Sequence, residues 1–204
     1  MLERANSFDF DDTTIDRGAI VRGLGVVKAV ARPSRVVAIP PISEIPNIDR
    51  LVVNERITNP IELFSFIDHS RRSVIPGVKE FMEKAKLEGY DNFGNTGRSN
   101  KKQWVEMTWL TLEKGGIADL VEDIYFTPDG VRTAVSKAEA IRKLYKRYKE
   151  VVHYEDDPRT AVILASLFPK MTIYLIQYKT SGLLYSRQEI EKYPGIKRIA
   201  RIPG

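Results

Sequence analysis

The sequence predicts an α/β fold, a parallel sheet with helices on both faces. Three observations carry that prediction. Through the second half of the 204-residue chain, strand-like runs alternate with helix-like runs, and such alternation builds strand-helix-strand units. Met171 to Gln177 forms one continuous apolar run, as a strand covered on both faces requires. Acidic or hydroxyl residues stand directly after several of the strand-like runs, and sheets of this kind bind ligands beyond the carboxyl ends of their strands.

Residues 5–10 read as the first strand, which runs into Asp9, Asp11 and Asp12. Residues 16–58 are unlike the remainder. Gly18, Gly23 and Gly25 punctuate an apolar run, and Pro33, Pro40, Pro41 and Pro46 break the next. Val36–Ile39 and Leu51–Val53 are the β-rich pieces between them. This composition predicts short strands and turns, a lid rather than core. Gly23 and Gly25 lack the partners of a nucleotide loop, so they read as turn glycines.

Asn59 caps a helix with Pro60 at its first position, running to Ser70. A second helix covers Val78 to Glu88, with Val78, Phe81, Met82 and Ala85 on its apolar face and Gly89 as its stop. Tyr90 to Asn95 is a strand assigned by position, because Asn92, Gly94 and Asn95 are polar for a buried one. It leads into Thr96-Gly97-Arg98. Lys102 to Lys114 is helical, and Asp123 to Thr127 is a strand closed by Pro128-Asp129-Gly130. Ser136-Lys137-Ala138-Glu139 reads as a capping box, which starts a helix at Lys137. The lysines and arginines near its end suit the negative pole of a helix and a solvated face. Val151 to Tyr154 is a strand ending in Glu155-Asp156-Asp157-Pro158, with a helix from there to Leu167. Beyond residue 177, a short helix over 186–192 and a basic segment over 197–201 are expected.

Composition narrows the chemistry. Hydrophobic residues make up 43% and charged residues 29%, which excludes global disorder. No run of about 18 apolar residues exists, so no membrane helix is expected. The first residues lack the apolar core of a signal peptide, and a cytoplasmic location is the expectation. Cysteine is absent and there are two histidines, His69 and His153. Thiolate catalysis, cysteine-zinc sites and histidine-rich metal centres are therefore excluded. The net charge of +5 permits an anionic partner without demanding one.

Carboxylates, hydroxyls and lysines remain. Asp9 and Asp11 follow the first strand, Thr96 the second and Asp156 the fourth, while Lys137 precedes that fourth strand. Adjacent carboxylates repel unless a cation neutralises them, and Mg²⁺ is the usual hard cation for oxygen ligands.

At these positions the chain resembles the haloacid dehalogenase (HAD) superfamily. The first motif of that family stands here as Asp9-Phe10-Asp11-Asp12-Thr13 and the second as Thr96-Gly97-Arg98. The third is Lys137, 19 residues ahead of Asp156, and the fourth is Glu155-Asp156-Asp157. The resemblance covers residues 5–15 and 74–178. It implies a Rossmann-like core of residues 1–15 and 74–204, with 16–73 as an inserted cap that selects substrate. It further implies Mg²⁺-dependent hydrolysis of a phosphomonoester through an aspartyl-phosphate.

In that scheme Asp9 is the nucleophile and Asp11 the acid and base. Thr96 bonds a phosphoryl oxygen, and Lys137 neutralises charge. Asp9, the Asp11 carbonyl and an acid of the fourth motif hold the metal. Registering that motif on Pro158 favours Asp156, with Asp157 as the substitute and otherwise a helix cap. Gly97 and Arg98 join the substrate site. Arg98 either binds phosphate or pairs with Asp12 or another acid. Lys101 and Lys102 compete with Lys137. Thr13 is expected to support the turn. His69 reads as a solvated helix residue, His153 as a packed or exposed strand residue, and Trp104 and Trp109 as packing residues.

The expected partner is a phosphorylated small molecule or nucleotide, since residues 16–73 carry nine basic against six acidic residues. A nucleic-acid end-processing activity, resembling the phosphatase half of polynucleotide kinase-phosphatases, is the alternative. A binding module that has lost catalysis is the third reading.

Overall fold

The structure, a computed structural model, describes residues 2–11, 13–16, 60–176 and 190–202. Strand β1 (Leu2–Phe8) is followed by helices α1 (Pro60–Ser70) and α2 (Val78–Leu87), strand β2 (Tyr90–Ser99) and helix α3 (Lys102–Lys114). Then come β3 (Asp123–Thr127), α4 (Thr133–Tyr145), β4 (Tyr148–Glu155), α5 (Pro158–Leu167), β5 (Thr172–Ile176) and β6 (Ile196–Ile199). The strands form one sheet in the order β3-β2-β1-β4-β5-β6, and every pairing is parallel. The expected α/β sheet is thus observed.

Side chains along a strand alternate between faces, so neighbours on one strand join different layers. Val151 packs with Ala5, Ile141, Leu144 and Leu164 under α4 and α5. Val152 packs with Phe8, Val78, Met82 and Leu112 under α2 and α3. The order of strands reverses between β1 and β4. Helices after β1 and β4 depart to opposite faces there and leave a crevice at the strand ends, the usual ligand position in such sheets.

β2 reaches Ser99, so Thr96-Gly97-Arg98 lies within the strand rather than after it. Its polar residues have structural reasons. Asn92 accepts from the Asn6 amide at 3.0 Å and donates to the Met82 and Leu120 carbonyls, each at 3.2 Å. Gly94 leaves room for the Phe10 ring, which a Cβ at that position would strike.

Helix α4 begins at Thr133, so the expected capping box and the start at Lys137 are overturned. Ser136, Lys137 and Glu139 are buried within the first turns. The Ser136 hydroxyl reaches the Phe126 carbonyl at 3.5 Å instead of capping. The helix ends at Tyr145, and Lys149 lies on β4, paired with Glu3 at 2.5 Å.

The basic segment near the end contains strand β6. Ile196 is buried while Lys197 and Arg198 are exposed, as an edge strand allows. The β-rich pieces expected between residues 17 and 59, Asp12, and residues 177–189 lie outside the described residues. Among those described, no helix is long and apolar enough to cross a membrane.

Candidate active site

The first acidic motif leaves β1 at the crevice. The Asp9 N–H donates to the Tyr154 carbonyl at 2.9 Å, extending the β1–β4 ladder by one residue. The chain then turns. Thr14 and Ile15 donate their N–H groups to the Phe10 carbonyl at 3.0 and 2.6 Å. The Thr14 hydroxyl donates to the Asp9 carbonyl at 2.9 Å. Thr14, not the expected Thr13, therefore ties the turn, and the buried Thr13 hydroxyl has no hydrogen-bond partner among the described residues. Asp9 and Asp11 consequently enter different surroundings.

Asp9 faces acids and one ammonium. Lys137 Nζ lies 2.8 Å from Asp9 Oδ1 and 2.7 Å from Glu155 Oε2. Asp9, Glu155 and Asp156 are all buried and offer oxygens within 4.8 Å of one another. Lys137 thus bridges two of three clustered carboxylates. Burial pushes the Asp9 carboxyl up, with Glu155 and Asp11 adding to the rise against Lys137. Burial also disfavours the Glu155 anion, but Lys137 and His153 outweigh it and hold that carboxyl down at about 2. Burial would favour a neutral Lys137, yet Asp9 and Glu155 overcome it and keep the ammonium.

Glu155 is already occupied. Its Oε2 accepts from Lys137 and from His153 at 3.1 Å, and its Oε1 accepts from the Asp157 N–H at 3.2 Å. Asp157 does not join the cluster, so its place as substitute metal ligand is corrected. Its carboxylate accepts from the Arg159 and Thr160 N–H groups at 3.3 and 3.2 Å and from the Thr160 hydroxyl at 2.7 Å. It caps α5, whose first N–H groups have no partner inside the helix. Three buried, hard oxygen donors within 4.8 Å of one another fit a divalent cation such as Mg²⁺.

Asp11 faces cations. Arg98 and Arg72 both donate to its Oδ1, at 2.8 and 3.1 Å, and His69 Nε2 lies 3.4 Å from its Oδ2. Arg98, the arginine of the second motif, is also held by the Thr108 hydroxyl at 3.0 Å. Arg72 also pairs with Asp68 at 2.5 Å.

His69 is buried, not solvated as expected. Its Nδ1 bonds the Ser65 carbonyl at 2.6 Å, and its ring meets Trp104 edge-on at 5.0 Å. Sequence reasoning assigned neither His69 nor Arg72 to the site. The i,i+4 spacing of Asp68 with Arg72 and of Ser65 with His69 was the available signal. The Trp104 indole N–H also donates to Glu62 at 3.0 Å, and Phe66 packs on its ring. Trp104 therefore seats α1 on α3.

Of the three lysines weighed, Lys137 is the one that meets Asp9. Lys101 is committed to Glu62 at 2.9 Å and Asp129 at 3.4 Å, and Lys102 lies 3.7 Å from Glu106. Phe8 pairs with Gly94 across β1 and β2, which sets Thr96 two residues further along, at the end of the sheet where Asp9 emerges. The Thr96 hydroxyl accepts from the Arg98 N–H at 3.2 Å, leaving its own proton to donate. A Cβ at Gly97 would stand 2.9 Å from the Thr133 methyl group, so the glycine allows β2 to pass close to the start of α4.

Neither a protein-family model nor a curated protein sequence matches the chain. Solved structures do. A haloacid dehalogenase-like hydrolase from Streptococcus pneumoniae is 12% identical, with a TM-score of 0.54 over 97% of this chain and 93% of its own. An L-2-haloacid dehalogenase is 14% identical, with a TM-score of 0.58 over 97% and 95%. CbbY from Rhodobacter sphaeroides, solved with phosphate, is 15% identical, with a TM-score of 0.53 over 99% and 95%. The chain has the haloacid dehalogenase-like fold.

Proposed function

We propose that this chain is a Mg²⁺-dependent phosphomonoester hydrolase working through an aspartyl-phosphate on Asp9. The observation that carries the reading is the meeting of Asp9, Glu155 and Asp156, with Lys137 bridging the first two. A nucleophile must be anionic to attack, yet its target is anionic too. Asp9 and Asp156 would hold the cation, with the Asp11 carbonyl, because Glu155 is occupied by protein donors. When bound, Mg²⁺ supplies positive charge between nucleophile and phosphoryl oxygens.

The chain's own residues do the rest. An Asp9 oxygen attacks phosphorus, the bond to the ester oxygen breaks, and Asp11 gives that oxygen a proton. Asp11 then takes a proton from water, whose oxygen attacks phosphorus and releases Asp9. Lys137 balances the charge gathered on Asp9 and the phosphoryl group, and Thr96 donates to a phosphoryl oxygen. Residues 16–73 would act as the substrate-selecting segment. That part of the reading is supported by α1 and the turn after it, which bring His69 and Arg72 to Asp11. The substrate is a phosphorylated small molecule or nucleotide.

The test is phosphate release from an aryl phosphate with and without Mg²⁺, comparing the chain with Asp9→Asn. Turnover that needs both Mg²⁺ and Asp9 supports the reading. If the unaltered chain neither turns over nor forms a fluoroberyllate adduct, the reading fails and the chain is a binding module on this fold.

A further inference from the structure

A second polar array lies behind the acid cluster, on the face of the sheet covered by α4. It crosses three strands. Asn95 of β2 donates its amide to Ser7 Oγ at 3.3 Å and to the Lys137 carbonyl at 3.2 Å. Ser7 of β1 bonds His153 Nδ1 at 3.0 Å, and His153 Nε2 bonds Glu155 Oε2 at 3.1 Å. Ser7, His153 and Glu155 are each 0% exposed. Phosphoesters cannot reach this array, and the reaction outlined above does not use it.

One assignment of donors satisfies every contact with a neutral imidazole. A carbonyl only accepts, so the Asn95 group facing the Lys137 carbonyl is its NH₂. That same NH₂ donates to Ser7, which leaves the Ser7 proton for His153 Nδ1. His153 then carries its proton on Nε2 and gives that hydrogen bond to Glu155. Lys137 is consequently gripped at two points. Its carbonyl is held by Asn95, and its ammonium meets a Glu155 carboxylate that the Asp157 N–H anchors at Oε1 and His153 aims at Oε2.

We propose that His153, backed by Ser7 and Asn95, is a positioning residue that aims Lys137 at Asp9. The physical need is specific. Glu155 Oε2 takes both the lysine and the histidine while Oε1 is held by the Asp157 N–H, so without the histidine Oε2 can pivot about that anchor towards the ammonium and draw it from Asp9. A buried carboxylate that loses a donor seeks another, and Lys137 is the nearest. The polar residues at the end of β1 and in β2 are thereby part of the site's support.

This inference rests on the proposed hydrolase reading, and its test separates the two. Two variants are compared, His153→Leu, which removes both hydrogen bonds, and His153→Gln, whose amide can still donate to Glu155. The first measurement needs no turnover. The Lys137 ammonium is buried and ion-paired, so its ¹⁵Nζ resonance should be protected from exchange, and Lys137→Met identifies it. His153→Leu should shift that resonance or lose it, and His153→Gln should bring it back towards its original position.

The second measurement is steady-state hydrolysis of an aryl phosphate. kcat should fall about 10- to 100-fold in His153→Leu, the usual cost of removing such a support, with KM little changed and recovery in His153→Gln. An unshifted lysine resonance in folded His153→Leu overturns the proposal whether or not the chain is a hydrolase. So does a kcat loss that His153→Gln fails to recover. Absence of turnover in the unaltered chain, with the resonance behaving as stated, overturns the hydrolase reading and leaves the positioning role supported.

Discussion

Asp9 and Asp11 stand two residues apart, yet the molecule gives them opposite electrostatic surroundings. Asp9 looks at two further carboxylates and one ammonium. Asp11 looks at two guanidiniums and an imidazole. The turn tied by Thr14 separates them, and the partners come from different elements. Those of Asp9 come from α4 and the end of β4. Those of Asp11 come from the last turn of α1 and the residues after it, and from β2. One carboxylate sits where negative charge is in excess, and the other sits where it is compensated. A site that must hold a cation and then an anionic ester needs the first condition, and a carboxylate held in place needs the second.

The contrast is broken most severely at Asp9. Asp9→Asn should abolish hydrolysis by several orders of magnitude, as loss of a nucleophile does. It should at the same time stabilise the metal-free chain. Burial raises the Asp9 pKa above its ordinary 3.8, so the folded state favours the neutral form. That contribution is full below 3.8 and is lost as pH rises through the folded value. Asparagine mimics the neutral form, and Lys137 keeps Glu155 as its partner, so a gain in stability at neutral pH is expected, read from urea unfolding with a chelator present. A destabilised Asp9→Asn chain would contradict the charge excess.

Asp11→Asn should move stability the other way. It leaves the buried Arg98 without its carboxylate while Arg72 keeps Asp68, a loss of about 3 kcal/mol, measured in the same unfolding experiment. Opposite signs for two chemically identical substitutions two residues apart are the sharpest form of the comparison.

Glu155 gives the pH dependence. Its carboxyl is held at about 2 against an ordinary value of 4.5, so it contributes stability that is full above 4.5 and lost as pH falls towards 2. Glu155→Gln should flatten that part of the acid-unfolding curve, followed by circular dichroism. The smallest effect is expected at Asp157, which only caps α5. Asp157→Ala should cost about 1 kcal/mol and leave kcat unchanged, which separates it from Asp156.

Much of the fold was legible because burial writes it into the residue pattern. β3 and α3 have the expected limits, and α1, α2 and α5 agree to within a residue. β6 was not legible, since an edge strand with Lys197 and Arg198 outward looks like a basic tail. The start of α4 was misread because Ser136 and Glu139 imitate a cap while tertiary contacts bury them. At the site, Asp9, Lys137 and Asp156 were visible as residue types at fixed spacings. His69 and Arg72 were not, because each acts through Asp11, at least 58 residues away, and His153 was not, because its bond to Ser7, 146 residues away, is set by strand pairing.

By itself the sequence determined the order of strands and helices and the acids and lysine at their ends, because periodicity and local turn chemistry act over a few residues. Only the tertiary structure decided which acid meets a lysine and which meets arginines. It also decided that Asp157 caps a helix while Asp156 joins the cluster, and that a histidine read as a packed or exposed strand residue stands behind Glu155. Hydrogen-bonded ion pairs need direct contact at about 3 Å, so side-chain partners are set by strand register and helix docking rather than by spacing along the chain.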